Sequence, residues 1–168
     1  MATTTGTMFE EGRARGWPDW RQVLAGGALV AAGDIVFATT LWFSWTAQGL
    51  VSVFQSIAVG VLGRASMEGG LPSAALGAGL HLFMATAFVA AYALVARERP
   101  GLLRRPWLLG PLYGVVMYVI MNFIVMPLSR VGRSPSFAHL DWIVLSVMAH
   151  MAFGVVCVVF ARRALRPY

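Results

Sequence analysis

The chain has 168 residues, of which 58% are hydrophobic and only 12% charged. Soluble domains carry roughly a quarter charged residues, so a chain of mean hydropathy +0.71 cannot clothe itself in polar surface and reads as a polytopic membrane protein. Its net charge of +6 comes from 13 arginines and no lysine; these flank apolar runs and form no continuous patch, which argues for membrane topology and against nucleic acid.

Residues 1–21 form an N-terminal segment expected on the cytoplasmic side, with Arg13, Arg15 and Arg21 ahead of the first apolar run. Trp17 and Trp20 are placed to anchor it at the inner interface. The run from Val23 to about Phe43 is too long for a signal-peptide core, and no small-x-small cleavage site follows. It predicts an uncleaved first transmembrane helix over about 22–45. Asp34 sits in the middle of that run, about eleven residues from either end.

Next comes LVSVFQSIAVGVLG, residues 50–63. A helix of that length covers roughly 20 Å, short of a hydrocarbon core of roughly 30 Å. Charge arbitrates. If the segment does not cross, Arg13, Arg15, Arg21, Arg97, Arg99, Arg104, Arg105, Arg162, Arg163 and Arg166 share one side, against Arg64, Arg130 and Arg133 on the other. If it crosses, the bias disappears. The positive-inside rule therefore predicts a re-entrant or interfacial helix on the outer face, packed against the bundle, with both termini cytoplasmic.

Three further spans follow, at about 73–96, 106–128 and 139–162. Pro72 opens the first of them, where a missing N–H is harmless. Pro106-Trp107 opens the next, and Trp42, Trp45, Trp107 and Trp142 fall near span ends as an aromatic belt requires. The expected fold class is all-α: four transmembrane helices plus one short helix, forming a single domain over 22–168. Gly27-x-x-x-Ala31, Ala75-x-x-x-Gly79 and Gly110-x-x-x-Gly114 are candidate contact motifs that let backbones approach.

The polar residues inside the spans converge in depth. At 1.5 Å per residue, Asp34, His81, Asn122 and His150 fall within a band of roughly 10 Å from the midplane outward. Gln55, on the short helix, is placed to reach down from outside. Intramembrane polar residues face a bundle interior or a wet cavity and pair with one another. The expected cluster is Asp34, Gln55, His81, Asn122 and His150, with Asp34 either held by hydrogen bonds from His81, His150 or Asn122, or protonated. Each has a plainer alternative as interhelical glue. His139, beside Asp141, reads as an ordinary surface histidine, and Arg64 with Glu68 as a weak i,i+4 pair. Cys157 and the span methionines read as core filling; Met148 and Met151 bracket His150, where a copper site is conceivable. No phosphate loop, HExxH or GxSxG is present.

Over about 30–168 the chain resembles a group of small bacterial inner-membrane proteins, loosely the YagU-like family. The resemblance rests on Q-S-I-A-x-G-x-L-G-R-A at Gln55 to Ala65, Gly69-Gly70, Leu80-His81, and Y-G-x-x-x-Y-x-x-M-N-x-x-x-x-P-L-S at Tyr113 to Ser129, closed by a helix bearing His150. It implies a link to acid resistance and supplies no established catalytic residues. Three functions stay open. One is proton or small-solute handling, with a homo-oligomer expected because four helices make a thin wall. Another is a subunit binding haem b or a metal between His81 and His150. The last is a non-catalytic subunit of a larger membrane complex.

Overall fold

A computed structural model describes residues 16–133 and 138–166. The arginines at 13 and 15 lie outside them. Asp19 opens the first helix as its N-cap, accepting from the Arg21 amide at 2.9 Å, and α1 then runs Trp20–Trp42. Its bounds stand about two residues before those expected. Thr46 caps α2, Ala47–Leu62, by accepting from the Gly49 amide at 3.1 Å. Gly63 ends α2 with φ +73°, a left-handed conformation open to glycine, and one 3₁₀ stretch, Arg64–Glu68, leads to the next helix. No ion pair joins Arg64 to Glu68 among the described residues, so the expected i,i+4 pair is not made.

The long helix α3 covers Gly70–Glu98, with Pro72 in its first turn. A 3₁₀ turn, Pro100–Leu103, connects it to α4, which starts at Pro106. Helix α4 is α-helical over Pro106–Ile120, passes through a π-helical turn at Met121–Val125, and finishes as Met126–Leu128. The sequence reading did not anticipate this turn. Pro127 supplies a physical reason, because it has no N–H to return to the carbonyl one turn back and its ring crowds that carbonyl. Finally α5 runs Leu140–Ala164, with Asp141 in its first turn and Arg162 and Arg163 in its last, each opposing the helix dipole favourably.

The four expected crossings and the expected short helix are thus the elements observed, and no strand occurs among the described residues. Four helices are long and apolar enough to cross a membrane. They present Leu29, Val36, Phe83, Leu112 and Leu145 outward, which suits acyl chains and not water. The protein is a multi-pass, all-α membrane bundle.

Connectivity fixes its two ends. The start of α1 meets the end of α5, where the Asp19 amide donates to the Ala164 carbonyl at 2.9 Å. The Arg97 guanidinium, near the end of α3, stands 4.7 Å over the Trp17 ring at that same end. At the other end, α2 packs on the first half of α3, and the Arg130 amide donates to Gly60 of α2 at 2.9 Å. Trp42 and Trp142 meet edge-to-face there, 6.4 Å between centroids. The first end is called the Arg-rich end below, and the second the α2 end.

Between apolar helices in lipid, association rests on close packing, since lipid tails compete for the same surfaces. Glycines provide that closeness. Gly110 and Gly114 of α4 face α5, where a Cβ on Gly110 would stand 2.5 Å from the Val155 Cα, and Gly114 abuts the His150 carbonyl. Gly154 answers from α5, lying against the Gly110 carbonyl oxygen. Gly27 abuts Thr86 of α3, in keeping with the first motif. The Ala75-x-x-x-Gly79 motif is corrected: nothing lies within 4 Å of a Cβ on Gly79, and it is Gly77 that admits the Phe54 carbonyl of α2.

A dry core fills the Arg-rich half. Val23, Val89, Cys157, Val158, Ala93 and Ala161 are all fully buried there. Cys157 is a core residue, its Sγ 3.9 Å from the Met117 Sδ.

Candidate functional site

Above this core, toward the α2 end, the interior opens into a cavity of about 80 Å³. All four spans contribute: Asp34 from α1, His81 and Met84 from α3, Met117 and Met121 from α4, and His150 and Phe153 from α5. The packing that closes α1 onto its neighbours sets this arrangement. Ala31, one turn before Asp34, is buried against α3, and Gly33 lets the Phe153 ring approach from α5. Asp34 therefore emerges between α3 and α5.

Counted along the helices, Asp34 lies 8 residues before the end of α1, His81 11 after the start of α3 and His150 10 after the start of α5. These distances correspond to roughly 12–17 Å from the α2 end. Because α1 ends at Trp42, Asp34 lies nearer that end than the middle position expected for it.

The Nε2 of His81 donates to the Ala31 carbonyl at 3.1 Å and stands 3.6 Å from the Asp34 Oδ2. The second distance is an electrostatic contact, too long for a hydrogen bond. A carbonyl can only accept, so His81 carries its proton on Nε2. His150 is held the other way, its Nδ1 donating to the Ser146 carbonyl at 2.8 Å, which leaves Nε2 as the open nitrogen of the neutral ring. Edge-to-face contacts from Tyr118, at 5.5 Å, and Phe153, at 6.0 Å, fix the orientation of the His150 ring. Both imidazoles thus spend one nitrogen on backbone.

The Asp34 side chain retains 35% of its surface accessible, against 15% for His81. A cavity of this size is large enough to hold water. Hydration would relieve the cost of placing a carboxylate at this depth.

Two members of the expected cluster lie elsewhere. Gln55 does not reach the cavity; it is buried at 2% exposure between α2 and α3. Its Nε2 donates to the Gly70 carbonyl at 3.2 Å and to the Ser73 Oγ at 3.3 Å, while the Ser66 Oγ donates to the Gln55 carbonyl at 2.9 Å. This network fastens the short helix, its 3₁₀ exit and the start of α3 together. Asn122 gives its amide to the Tyr118 carbonyl of its own helix at 3.0 Å. It also lines a different cavity, of about 540 Å³, with Trp42, His139, Trp142 and Ser146. Neither residue holds Asp34. Depth along an axis is one coordinate; the rotation of each helix about that axis is another, and it turns both side chains away.

A haem b or metal between His81 and His150 would have to occupy this same space. Organic ligands of drug size or larger occupy roughly 300–1,000 Å³, several times the space between Asp34, His81 and His150. No group of three or more metal-ligating residues of the His, Cys, Asp and Glu types occurs among the described residues. Met148 is exposed, and neither it nor Met151 lines the cavity. The cavity's own methionines, Met84, Met117 and Met121, were not singled out as walls from sequence; the i,i+4 spacing of the last two was the available signal. His139 is exposed as expected and stacks on Trp142 at 4.6 Å.

No protein family, curated protein or solved structure matches the chain.

Proposed function

We propose that this multi-pass membrane protein binds and releases protons at Asp34, His81 and His150. The observation that carries the reading is the meeting of one carboxylate and two imidazoles, from three separate crossings, around a water-sized cavity. Imidazole is the side chain that titrates near physiological pH, and a carboxylate nearby couples to it. The cavity admits water and excludes organic solutes by size, so proton handling is favoured over solute transport. The apolar core beneath it, from Val23 to Ala161, is fully buried toward the Arg-rich end among the described residues. The site is accordingly a proton-binding half-chamber, and any transfer across the membrane requires that core to rearrange or a second subunit to complete the path.

The same reading includes location. With α2 not crossing, eight of the 11 arginines among the described residues gather at the Arg-rich end, which the positive-inside rule assigns to the cytoplasm of a bacterial inner membrane. The chamber then faces outward, where an external acid load arrives. The resemblance to the YagU-like group supports this assignment. A second reading is favoured by one contact: the His81 bond to Ala31 joins α3 to α1, so the cluster serves as a helix lock in an accessory subunit.

Proteoliposomes in weakly buffered medium with a pH-sensitive dye outside separate the two. Proton handling predicts that part of an external acid pulse is taken up by the wild type and that this uptake falls in Asp34→Asn, with thermal stability preserved. A helix lock predicts uptake that Asp34→Asn leaves unchanged, with stability lowered.

A further inference from the structure

A second, larger concavity lies beside the proton site. It measures about 780 Å³ and runs between α2, α3 and the π-helical end of α4. Ile57, Val61, Leu80, Val125 and Met126 make its walls apolar, and Met84 and Met121 separate it from the Asp34 cavity. Arg64, Arg130 and Arg133 line it as well.

Those three are all the arginines at the α2 end among the described residues, and they come from two chain segments 66 or more residues apart in sequence. The backbone holds the segments together. The Arg130 amide is bonded to Gly60 at 2.9 Å, and the Arg130 Cδ stands 3.9 Å from the position of a Cβ on Gly63, the residue before Arg64. None of the three has an ion pair with a carboxylate among the described residues. On the face where arginine is otherwise sparse, all three border this apolar groove, Arg133 bordering the Asn122 cavity as well.

We infer that this groove binds an anionic phospholipid of the surrounding bilayer, its phosphate at Arg64, Arg130 and Arg133 and an acyl chain along the Ile57–Leu80–Val125 wall. Guanidinium suits phosphate through paired, charge-assisted hydrogen bonds. The volume falls in the range of organic-ligand sites. A depth of apolar wall below a cationic rim matches a lipid and not a free anion, which has no use for the wall. Occupancy would also cover Met84 and Met121, the partition beside Asp34.

The test is native mass spectrometry of the full chain released from nanodiscs of phosphatidylcholine alone or mixed equally with phosphatidylglycerol. Three basic groups near a membrane surface give a preference for anionic lipid on the order of a hundred-fold at low salt. The wild type is expected to retain phosphatidylglycerol over phosphatidylcholine by at least about ten-fold. Joint replacement Arg64→Gln, Arg130→Gln and Arg133→Gln should remove that preference, and Arg64→Gln alone, at an exposed position, should reduce it. Arg104→Gln with Arg105→Gln, at the Arg-rich end, should leave it intact. Filling the wall with Leu80→Trp should expel the lipid although all arginines remain. The inference is overturned if the wild type shows no preference, if the triple variant keeps it, if Leu80→Trp leaves binding unchanged, or if millimolar inorganic phosphate displaces the lipid.

Discussion

Gly154→Ala is the substitution whose effect can be worked most directly from the coordinates. Its new Cβ would lie against the Gly110 carbonyl oxygen, 2.5 Å from the Gly114 nitrogen and 2.8 Å from the Gly114 Cα. All three atoms are backbone, so no rotamer change relieves the contact. Restoring ordinary van der Waals separation means moving α4 and α5 apart by about 1 Å, and a gap of 0.5–1 Å forfeits roughly a quarter to a half of each dispersion contact along the seam. Overpacking of this kind costs about 1–3 kcal/mol, set against about 1 kcal/mol gained from alanine's better helix propensity. A net loss of up to about 2 kcal/mol is expected. Gly79→Ala is the internal control: nothing lies within 4 Å of its added Cβ, so only the propensity gain applies and stability should hold or rise. Reversible unfolding in mixed micelles, or steric trapping in bicelles, measures both. If Gly154→Ala is as stable as Gly79→Ala, the glycine-mediated α4–α5 seam is wrong.

Other outcomes follow from the same reasoning. Gln55→Leu removes two bonds to the start of α3 at a buried position and should destabilise by about 1–3 kcal/mol; hydrogen exchange should rise in α2 and the 3₁₀ stretch while α4 and α5 stay protected. Among the described residues the Thr86 Oγ1 is buried without a hydrogen-bond partner, so the near-isosteric Thr86→Val should unfold no more easily, and up to about 1 kcal/mol less easily, in the same micelle assay. His81→Ala loses the bond to the Ala31 carbonyl and should cost about 0.6–1.7 kcal/mol, the range for interhelical bonds in membranes, whereas His150→Ala, whose bond stays within its own helix, should weaken α1–α3 contact less.

Much of this architecture was legible before any coordinates, because a bilayer leaves few choices. Spans must be about 20 apolar residues long, so Trp20–Trp42 and Leu140–Ala164 declare themselves, and Ala47–Leu62 fails by length. Depth was legible for the same reason, and it brought Asp34, His81 and His150 to one level. Rotation about each helix axis was not legible. A chain rich in glycine and alanine offers small-residue pairs on every face, so Gly79 looked as suitable as Gly77 although only the latter meets α2. Gln55 and Asn122 satisfied the depth criterion and nothing in their local sequence told which way they turned. The π turn at Met121–Val125 shifts the register of everything after it, which period counting with 3.6 residues per turn cannot foresee, although Pro127 marked the place. The arginine rim reads as topology in the sequence and not as a site, since Arg64 and Arg130 border one groove only once the segment after α4 is bonded to α2.

The central claim is that Asp34, His81 and His150 titrate as one unit. Infrared difference spectroscopy of the reconstituted protein across a pH series reads it directly, through the carbonyl stretch of a protonated carboxyl group. The account predicts a band that is absent from Asp34→Asn and whose midpoint pH moves in both His81→Gln and His150→Gln. A band that survives in Asp34→Asn, or a midpoint indifferent to both histidines, would contradict it.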